Sequence, residues 1–267
     1  MPPTNSIIPT QILYSCYAHA SSEGEQFIAE HIFSFIFSGN QMMRVGDRTF
    51  EFQPGDFRFF RKNQLCKFRK QPVPGGEFIS LSIRLDKTTL QAMSQELNLH
   101  ADRQYIGDEI LQLEPNDLLR GFVESMKPYL KAGQDIDPMI AGLKVKEAVM
   151  LLLQINPQLK NILFDFAEPG KMDLEAFMTK NYKFNVDINR FAYLTGRSLA
   201  TFKRDFERIF HTSPNKWLQQ KRLDDAHYLI KEKGWRSSDV YMEVGFKDLS
   251  HFSFAFKKAF GVAPSRL

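Results

Sequence analysis

The chain has 267 residues and a formal net charge of +4, and 43% of its residues are hydrophobic. Such a length allows two ordinary domains, each with its own core. Two cysteines are too few for a disulfide framework, and no basic leader precedes an apolar run at the start. No stretch approaches the roughly 18 apolar residues of a membrane span. Composition therefore excludes exported, disulfide-rich and membrane-embedded classes and predicts a cytoplasmic protein.

Positive charge is concentrated in the C-terminal part of the chain. Residues 169–267 hold 18 Lys and Arg against 11 Asp and Glu, whereas residues 1–168 hold 17 against 20. The sign changes at Pro169-Gly170, where a helical pattern is interrupted. A basic domain beside a nearly neutral one is typical of polyanion binding, although many basic folds bind nothing. We therefore expect two domains, 1–168 and 169–267.

Short strands separated by turns are predicted from about residue 10 to residue 86. Residues 32–37 form an apolar run, residues 45–48 have the pattern of a tight hairpin, and residues 79–85 alternate with a period of two. So many short strands indicate a β-barrel or a sandwich.

Helices are predicted over about residues 90–166, with two long amphipathic ones at 116–131 and 137–155. Asp137-Pro138 is a favourable helix start for the second. Its apolar face must pack on something, either the barrel of its own chain or the same helix of a second copy. The residues of this candidate dimer helix are Ile140, Leu143 and Met150.

A repeat with a period of 50 residues marks the C-terminal part. In both copies three phenylalanines stand four residues apart, on one face of a helix, and a glycine lies upstream. The matching residues are Phe202, Phe206, Phe210 and Pro214 in the first copy and Phe252, Phe256, Phe260 and Pro264 in the second. Paired helices also build solenoids, but two units are too few for one. Each copy is therefore predicted to be a helix-turn-helix.

The face opposite each phenylalanine stripe is free to enter a major groove, which is about 12 Å wide and admits a helix. Small residues let the helix approach, and Lys and Arg can bond to phosphates or guanine edges. Residues 215–233 are predicted to be a rigid spacer helix between the two units. The predicted DNA-binding residues are Ser198, Ala200, Thr201, Lys203 and Arg204 in the first unit and Lys247, Ser250, His251, Phe254 and Lys258 in the second.

Residues 172–267 resemble the DNA-binding domain of the AraC/XylS family. The resemblance implies that helices 198–209 and 249–259 are recognition helices in successive segments of the major groove. Two positions depart from the family pattern, since Tyr241 replaces a small alanine and Phe254 replaces a basic residue. The motifs that carry the resemblance are Arg222-Leu223-Asp224-Asp225-Ala226, Val244-Gly245-Phe246-Lys247-Asp248, His251-Phe252-Ser253, Phe256-Lys257-Lys258-Ala259-Phe260-Gly261 and Pro264-Ser265.

The strand region is similar to the cupin-like regulatory domain that precedes this module in many family members. The fold class is therefore α+β in two domains: a cupin-like β-barrel with helices, then an all-α double helix-turn-helix. Such regulatory domains bind a small effector inside the barrel, dimerise or receive a regulatory protein, and the sequence leaves all three open. The candidate effector-pocket residues are His31, Phe33, Phe35, Arg44 and Phe59.

Charged residues in the predicted strands bear on which kind of effector such a pocket could hold. Arg44, Arg58 and Arg61 are of a kind that usually faces solvent. Any of them that faced inward would need an anionic partner and would become a candidate for holding an acidic effector.

Catalysis is not expected. Metal sites in cupins need a His-x-His pair with a carboxylate and a further histidine, and His31 has no partner at that spacing. We therefore predict no metal, no cofactor and no enzymatic activity.

The leading hypothesis is a cytoplasmic, nucleoid-associated regulator, an activator that binds double-stranded DNA and RNA polymerase and is gated by its N-terminal domain. The alternative is a sensor or scaffold that acts through protein contacts and binds DNA only non-specifically. A specific regulator prefers one duplex over random DNA by several kcal/mol, whereas a non-specific binder shows only the salt dependence of phosphate contacts.

Overall fold

The structure is a computed structural model that describes residues 11–21, 26–46, 48–130 and 136–267. The chain divides into two compact units: the first contains the described residues 11–21 and 28–167, and the second contains residues 26–27 and 168–267. The first is a two-sheet unit with helices and the second is helical, so the predicted fold class is confirmed. Within the described ranges, no helix is long and apolar enough to span a membrane.

The first unit is built from short antiparallel strands. A five-stranded sheet has the order β1-β9-β3-β6-β10, a three-stranded sheet has the order β5-β4-β8, and β2 pairs with β7. The predicted hairpin joins β4 to β5 with Val45 opposite Arg48, while Asp47 at its tip lies outside the described residues. The strands are β1 (Ile12–Tyr17), β2 (Phe27–Ile28), β3 (His31–Ser38), β4 (Asn40–Val45), β5 (Arg48–Phe52), β6 (Phe57–Phe60), β7 (Gln64–Leu65), β8 (Lys67–Gln71), β9 (Phe78–Leu85) and β10 (Ile110–Leu113).

The five-stranded sheet is buried on both faces, and this decides how the first unit packs. Along β3, Phe33 and Phe35 point to one face while Ser34 and Ile36 point to the other, because successive side chains alternate. The first face packs against the helices, and the second packs against the three-stranded sheet. Two cores therefore lie on opposite sides of one sheet.

The helices of the first unit follow the last long strand. Asn116 caps α2 and Asp137 caps α3. The side-chain amide oxygen of Asn116 and the carboxylate of Asp137 accept from backbone N–H groups of the first turn. The strand β10 interrupts the stretch predicted to be helical, because four residues are too few to produce a recognisable period. The helices are α1 (Lys87–Leu97), α2 (Asp117–Met126), α3 (Pro138–Ile155) and α4 (Lys160–Leu163), with short 3-10 segments at Lys127–Leu130 and Pro157–Leu159.

The second unit contains two helix-turn-helix motifs on either side of a long helix, as predicted. The first motif is α6 with α7, the second is α9 with α10, and α8 connects them. Pro214 opens α8, and Gly234 ends it in the left-handed region with φ of 65°. The helices are α5 (Leu174–Asn181), α6 (Ile188–Leu194), α7 (Leu199–Phe210), α8 (Pro214–Lys233), α9 (Ser237–Glu243) and α10 (Leu249–Phe260), followed by a 3-10 turn at Pro264–Arg266.

Candidate nucleic-acid interface

The turn of the first motif is set by a glycine that no other residue can replace without movement. Gly196 has φ of +65°, and a Cβ atom there would lie 2.5 Å from the carbonyl oxygen of Gly170. Two residues later, the Oγ atom of Ser198 accepts a hydrogen bond of 3.2 Å from the backbone N–H of Thr201. This cap fixes the residue at which the recognition helix α7 begins.

A charged contact ties the first turn to its recognition helix. Arg197 in the turn donates from Nε to Oδ2 of Asp205 at 3.1 Å and from Nη1 to the carbonyl oxygens of Thr195 and Met172, at 2.7 and 3.0 Å. Asp205 is buried in the middle of α7. The hydrogen bond from Arg197 lowers the pKa of the Asp205 carboxyl. The turn and the helix are therefore held as one piece.

The outer face of α7 carries the residues that the repeat singled out. Phe202 and Phe206 are fully buried, whereas Ala200, Lys203 and Arg204 are exposed and Thr201 is half-buried. The Arg204 side chain is 77% exposed, although its Nε atom lies 3.9 Å from the Asp205 carboxylate. It can therefore reach a base edge or a phosphate.

The second motif also has a glycine in its turn, and this turn is one residue longer than that of the first motif. Gly245 has φ of +99°, and a Cβ atom there would lie 2.6 Å from the carbonyl oxygen of Lys183. Two residues, Phe246 and Lys247, separate this glycine from the helix cap Asp248, where the first motif has one. The Oδ1 atom of Asp248 accepts from the backbone N–H of His251 at 2.7 Å.

Aromatic packing replaces the charged contact in this second turn. Phe246 is buried, and its ring centroid lies 5.2 Å from that of Phe252 and 5.6 Å from that of His251. Tyr241, one of the two departures from the family pattern, is half-buried against the core of this motif, so α9 accommodates the larger side chain.

The outer face of α10 is also accessible. Phe252 and Phe256 are fully buried, and Phe254 is 72% exposed on the opposite side of the helix. The other predicted contact residues of this motif are likewise exposed, namely Lys247, Ser250, His251 and Lys258. The structure thus brings the ten predicted residues onto two helix faces and the turn before the second, while their contact with DNA stays a prediction.

The connecting helix α8 packs on both phenylalanine stripes through one ring each. The Trp217 ring lies 4.6 Å from that of Phe210, and the His227 ring lies 4.7 Å from that of Phe260. Ten residues of helix separate these contacts by a rise of about 15 Å. Both recognition helices are therefore attached to one rod, which supports the predicted role of a rigid spacer.

Arg222 in the family motif holds α8 against the segment after α5. Its Nε and Nη2 atoms donate to the carbonyl oxygens of Tyr182 and Phe184 at 2.7 and 2.9 Å. Burial lowers the pKa of Arg222 to about 10. Its guanidinium serves the backbone of its own domain and is not placed for a base contact.

The sequence analysis missed a pocket of about 370 Å³ at the centre of the second unit. It joins the predicted contact residues Lys247 and His251 to residues of two other segments, 185–188 and 215–222. The family motifs contain part of its lining, but no motif connects that part to residues 185–188, which meet it only in the folded domain. The newly identified lining residues are Asn185, Val186, Asp187, Ile188, Asn215, Leu218, Gln219, Arg222, Gly245 and Phe246.

The predicted effector-pocket residues of the first unit do not line the space between its two sheets. Phe33, Phe35 and Phe59 belong to the core between the five-stranded sheet and the helices. Arg44 points outward from β4, whose alternate residues Gln41, Met43 and Val45 are the buried ones. The assignment of these residues to an effector pocket stays a prediction, and alternation along β3 could not decide their facing, because Phe33 and Ile36 on opposite faces are both buried.

His31, the fifth of these residues, is part of the same sheet-to-helix core. Its ring stacks on Phe59 with centroids 5.5 Å apart, and its Nδ1 atom accepts from the backbone N–H of Lys62 at 3.1 Å. Burial, with Lys62 and Arg61 nearby, lowers the pKa of His31 to about 3, so the ring is neutral. Within the described ranges, no group of three or more His, Cys, Asp or Glu could hold a metal ion.

A double helix-turn-helix with exposed polar faces, preceded by a two-sheet domain, defines the class of DNA-binding transcription regulators. Residues 191–267 match the family described as "Helix-turn-helix domain", and residues 31–162 match the "ExsA N-terminal regulatory domain".

Full-length relatives agree. The chain is 29% identical to the HTH-type transcriptional regulator ExsA of Pseudomonas aeruginosa, over 86% of this chain and 83% of that one. It is 30% identical to the virulence regulon transcriptional activator VirF of Yersinia enterocolitica, over 86% of each. A crystal structure of ToxT from Vibrio cholerae is similar with a TM-score of 0.47 and 12% identity, over 96% of each chain. The chain belongs to the AraC/XylS family of transcriptional regulators.

Proposed function

We propose that this regulator binds promoter DNA through both helix-turn-helix motifs and activates transcription there, with RNA polymerase as a partner. One observation carries the proposal: two recognition helices, each buried on a phenylalanine stripe and exposed on the opposite face, are attached to the single helix α8. We infer a cytoplasmic location at the nucleoid, because that is where promoter DNA lies. The names of the relatives, among them a transcriptional activator, support activation.

The exposed side chains suggest a division of labour. Arg204 can bond bidentately to guanine, while Lys203 and Lys258 are suited to phosphates. The central pocket combines Lys247 and His251 with polar side chains at the side of α8, among them the amides of Asn215 and Gln219. We assign this pocket to the DNA backbone that passes between the two motifs, where contacts set register but carry no base information.

The test is a selection of bound duplexes from a random pool with the full chain. We expect one enriched sequence, bound more tightly than random DNA by about 4–10 kcal/mol at physiological salt. Binding that is equal for all duplexes, with only a steep salt dependence, would favour the alternative of a scaffold with non-specific DNA affinity.

The helix α3 of the first unit is a candidate for self-association. Ala141, Val145 and Leu152 face the core, whereas Leu143 is 67% exposed and Met150 is 47% exposed. Met139 is 81% exposed on the same face, and Ile140 at its edge is 36% exposed. We propose that a second copy covers Met139, Leu143 and Met150, which lie on one side of α3 with Lys146 between the last two, because clustered exposed apolar residues mark an interface.

Sedimentation of the full chain tests this pairing. The double variant Met139→Glu, Leu143→Glu should sediment as a monomer under conditions in which the parent chain is a dimer. The variant Leu97→Glu, at an exposed leucine of α1, is the matched control and should leave the dimer intact. A parent chain that is monomeric at every concentration would end the proposal.

A further inference from the structure

Phe254 has the most exposed ring among the phenylalanines, tyrosines and tryptophans that the structure describes, with an exposed fraction of 72%. It is the sixth residue of α10, two positions from each of the buried residues Phe252 and Phe256. Two residues are about 200° of helical rotation, so the ring points directly away from the core. Arg204 is likewise the sixth residue of α7. The two side chains therefore stand at the same place on their recognition helices.

The Phe254 ring is surrounded by polar residues on the surface of α10. Its neighbours on the same face of a helix are the residues three and four positions away. These are Ser250, His251, Lys257 and Lys258, and all four are exposed. Docking sites for proteins are contiguous apolar patches of roughly several hundred Å². A single ring with two lysines, a histidine and a serine around it instead suits a polyanion that presents a small apolar group.

Duplex DNA presents such a group in its major groove, namely the C5 methyl of thymine. The other three bases present hydrogen-bond donors and acceptors there. A phenyl ring has neither a donor nor an acceptor, so it cannot read those bases, but it can bury a methyl group. The N-terminal residues of a recognition helix are the ones that meet base edges, and the sixth residue of α10 lies within its first two turns.

We propose that Phe254 is a specificity-determining residue that recognises a thymine through its methyl group, in the half-site of the second motif. The lysines one turn further along, Lys257 and Lys258, hold the helix to the backbone by charge and leave the base to the ring. The DNA site is then chemically asymmetric, with hydrogen bonds to a base from Arg204 in one half and a methyl contact in the other. The inference names the base chemistry of the second motif and rests on the proposed function.

Deoxyuridine tests this contact, because it lacks the methyl of thymine and pairs with adenine in the same way. The full chain is titrated with the duplex that selection from a random pool enriches, and each thymine of that duplex is replaced in turn. We expect at least one replacement to weaken binding about fourfold, the value of one buried methyl group. At that position, 5-methylcytosine should bind about fourfold more tightly than cytosine. Equal affinity for every uridine-containing duplex would overturn the proposal.

Variants assign the methyl effect to one side chain. Phe254→Ala should bind the thymine and uridine duplexes equally at the responding position, whereas Phe254→Leu keeps an apolar contact and should retain a preference for thymine. Arg204→Ala, on the first motif, is the control and should keep the full uridine effect there. Because Phe254 is exposed, its replacement should leave the Tm unchanged. Uridine effects of the parent's size at all positions in Phe254→Ala would show that another residue or the shape of the DNA reads the methyl.

The outcomes separate this inference from the proposed function. A selection that enriches no duplex would refute the proposed function, and the inference with it. An enriched duplex in which every thymine can be replaced without loss would refute the inference alone. Unchanged DNA affinity in Phe254→Ala, together with lost activation of purified RNA polymerase, would assign the ring to a protein partner and also overturn the inference.

Discussion

The two helix-turn-helix motifs share an apolar design and differ in what holds the turn. In the first, Arg197 bonds to Asp205 across the turn, whereas the positions 50 residues later hold Lys247 and Ala255. The second turn is instead filled by the buried ring of Phe246. The two motifs therefore share the buried phenylalanines, on which the fold depends, while the polar residues around them differ.

The outer faces of the two recognition helices also differ in their polar residues. Arg204 of the first motif corresponds to Phe254 of the second at the offset of 50, and both side chains are exposed. A guanidinium can make paired hydrogen bonds to a base, whereas a phenyl ring can only touch a thymine methyl. The comparison implies that the two motifs contribute unequally to base recognition, and it can be tested by damaging one motif at a time.

The largest effect is expected from the turn glycines. Gly245→Ala should destabilise the second unit by about 2 kcal/mol or more, because a left-handed residue with a Cβ costs about 1–2 kcal/mol before its clash with Lys183 is counted. Gly234→Ala, also left-handed but with no atom within 4 Å of the added Cβ, is the control and should cost about 1 kcal/mol. Urea unfolding of the full chain measures both.

Alanine at the turn glycine of each motif, Gly196 or Gly245, sharpens the comparison when base preference is measured. Gly245→Ala should erase preference only in the half-site of the second motif, and Gly196→Ala only in that of the first. Loss of preference across the whole site in both variants would mean that the motifs do not read DNA independently.

A smaller effect is expected on the reading face. Arg204→Ala should relax base preference in one half-site by about 1–3 kcal/mol, the value of a bidentate contact to guanine. Phe254→Ala should change preference little, or only at a thymine step. Selection profiles of both variants measure this, and a sharp loss for Phe254→Ala with none for Arg204→Ala would show that the second motif dominates.

Lys203→Ala is the matched control for charge on the first recognition helix. If Lys203 contacts phosphate, this variant should weaken all sequences alike and reduce the salt slope by about one. A base-specific loss would instead make Lys203 a reading residue.

The sequence predicted those parts of the fold whose residue pattern fits only one structure. The repeat of Phe202 and Phe252 fixed both helix-turn-helix motifs, because helical spacing of large apolar residues around a turn glycine has few structural solutions. The facing of His31 and Phe33 was not predictable, since the strand β3 is buried on both sides and only the tertiary structure decides which side meets the helices. Of the three arginines considered for the strands, Arg58 is the fully buried one, and the sequence did not distinguish it from Arg44 and Arg61.

The central pocket shows a different limit. Asn185, Asn215 and His251 lie far apart in sequence, and none has a spacing that marks it as a partner of the others. They meet because α8 packs on both motifs through Trp217 and His227. Sites of this kind follow from the arrangement of whole helices, and residue patterns within a single helix do not reveal them.

The smallest effect, and the one most specific to the first motif, concerns the pH dependence of its charged contact. The hydrogen bond from Arg197 lowers the pKa of Asp205 in the folded chain, so the contact stabilises the fold at every pH above the unfolded value of about 3.9 and is lost as the pH falls through the lower folded value. Asp205→Asn should therefore be less stable than the parent at neutral pH, and the difference should shrink in acid, below about pH 4. Glu207→Gln, on the exposed side of the same helix, is the control for removing a carboxylate and should show no such convergence. Thermal unfolding of the three chains between pH 3 and pH 7 measures the gap. A gap that stays constant over this range would show that the charge of Asp205 does not hold the first turn, and the contrast with the uncharged second turn would then rest on shape alone.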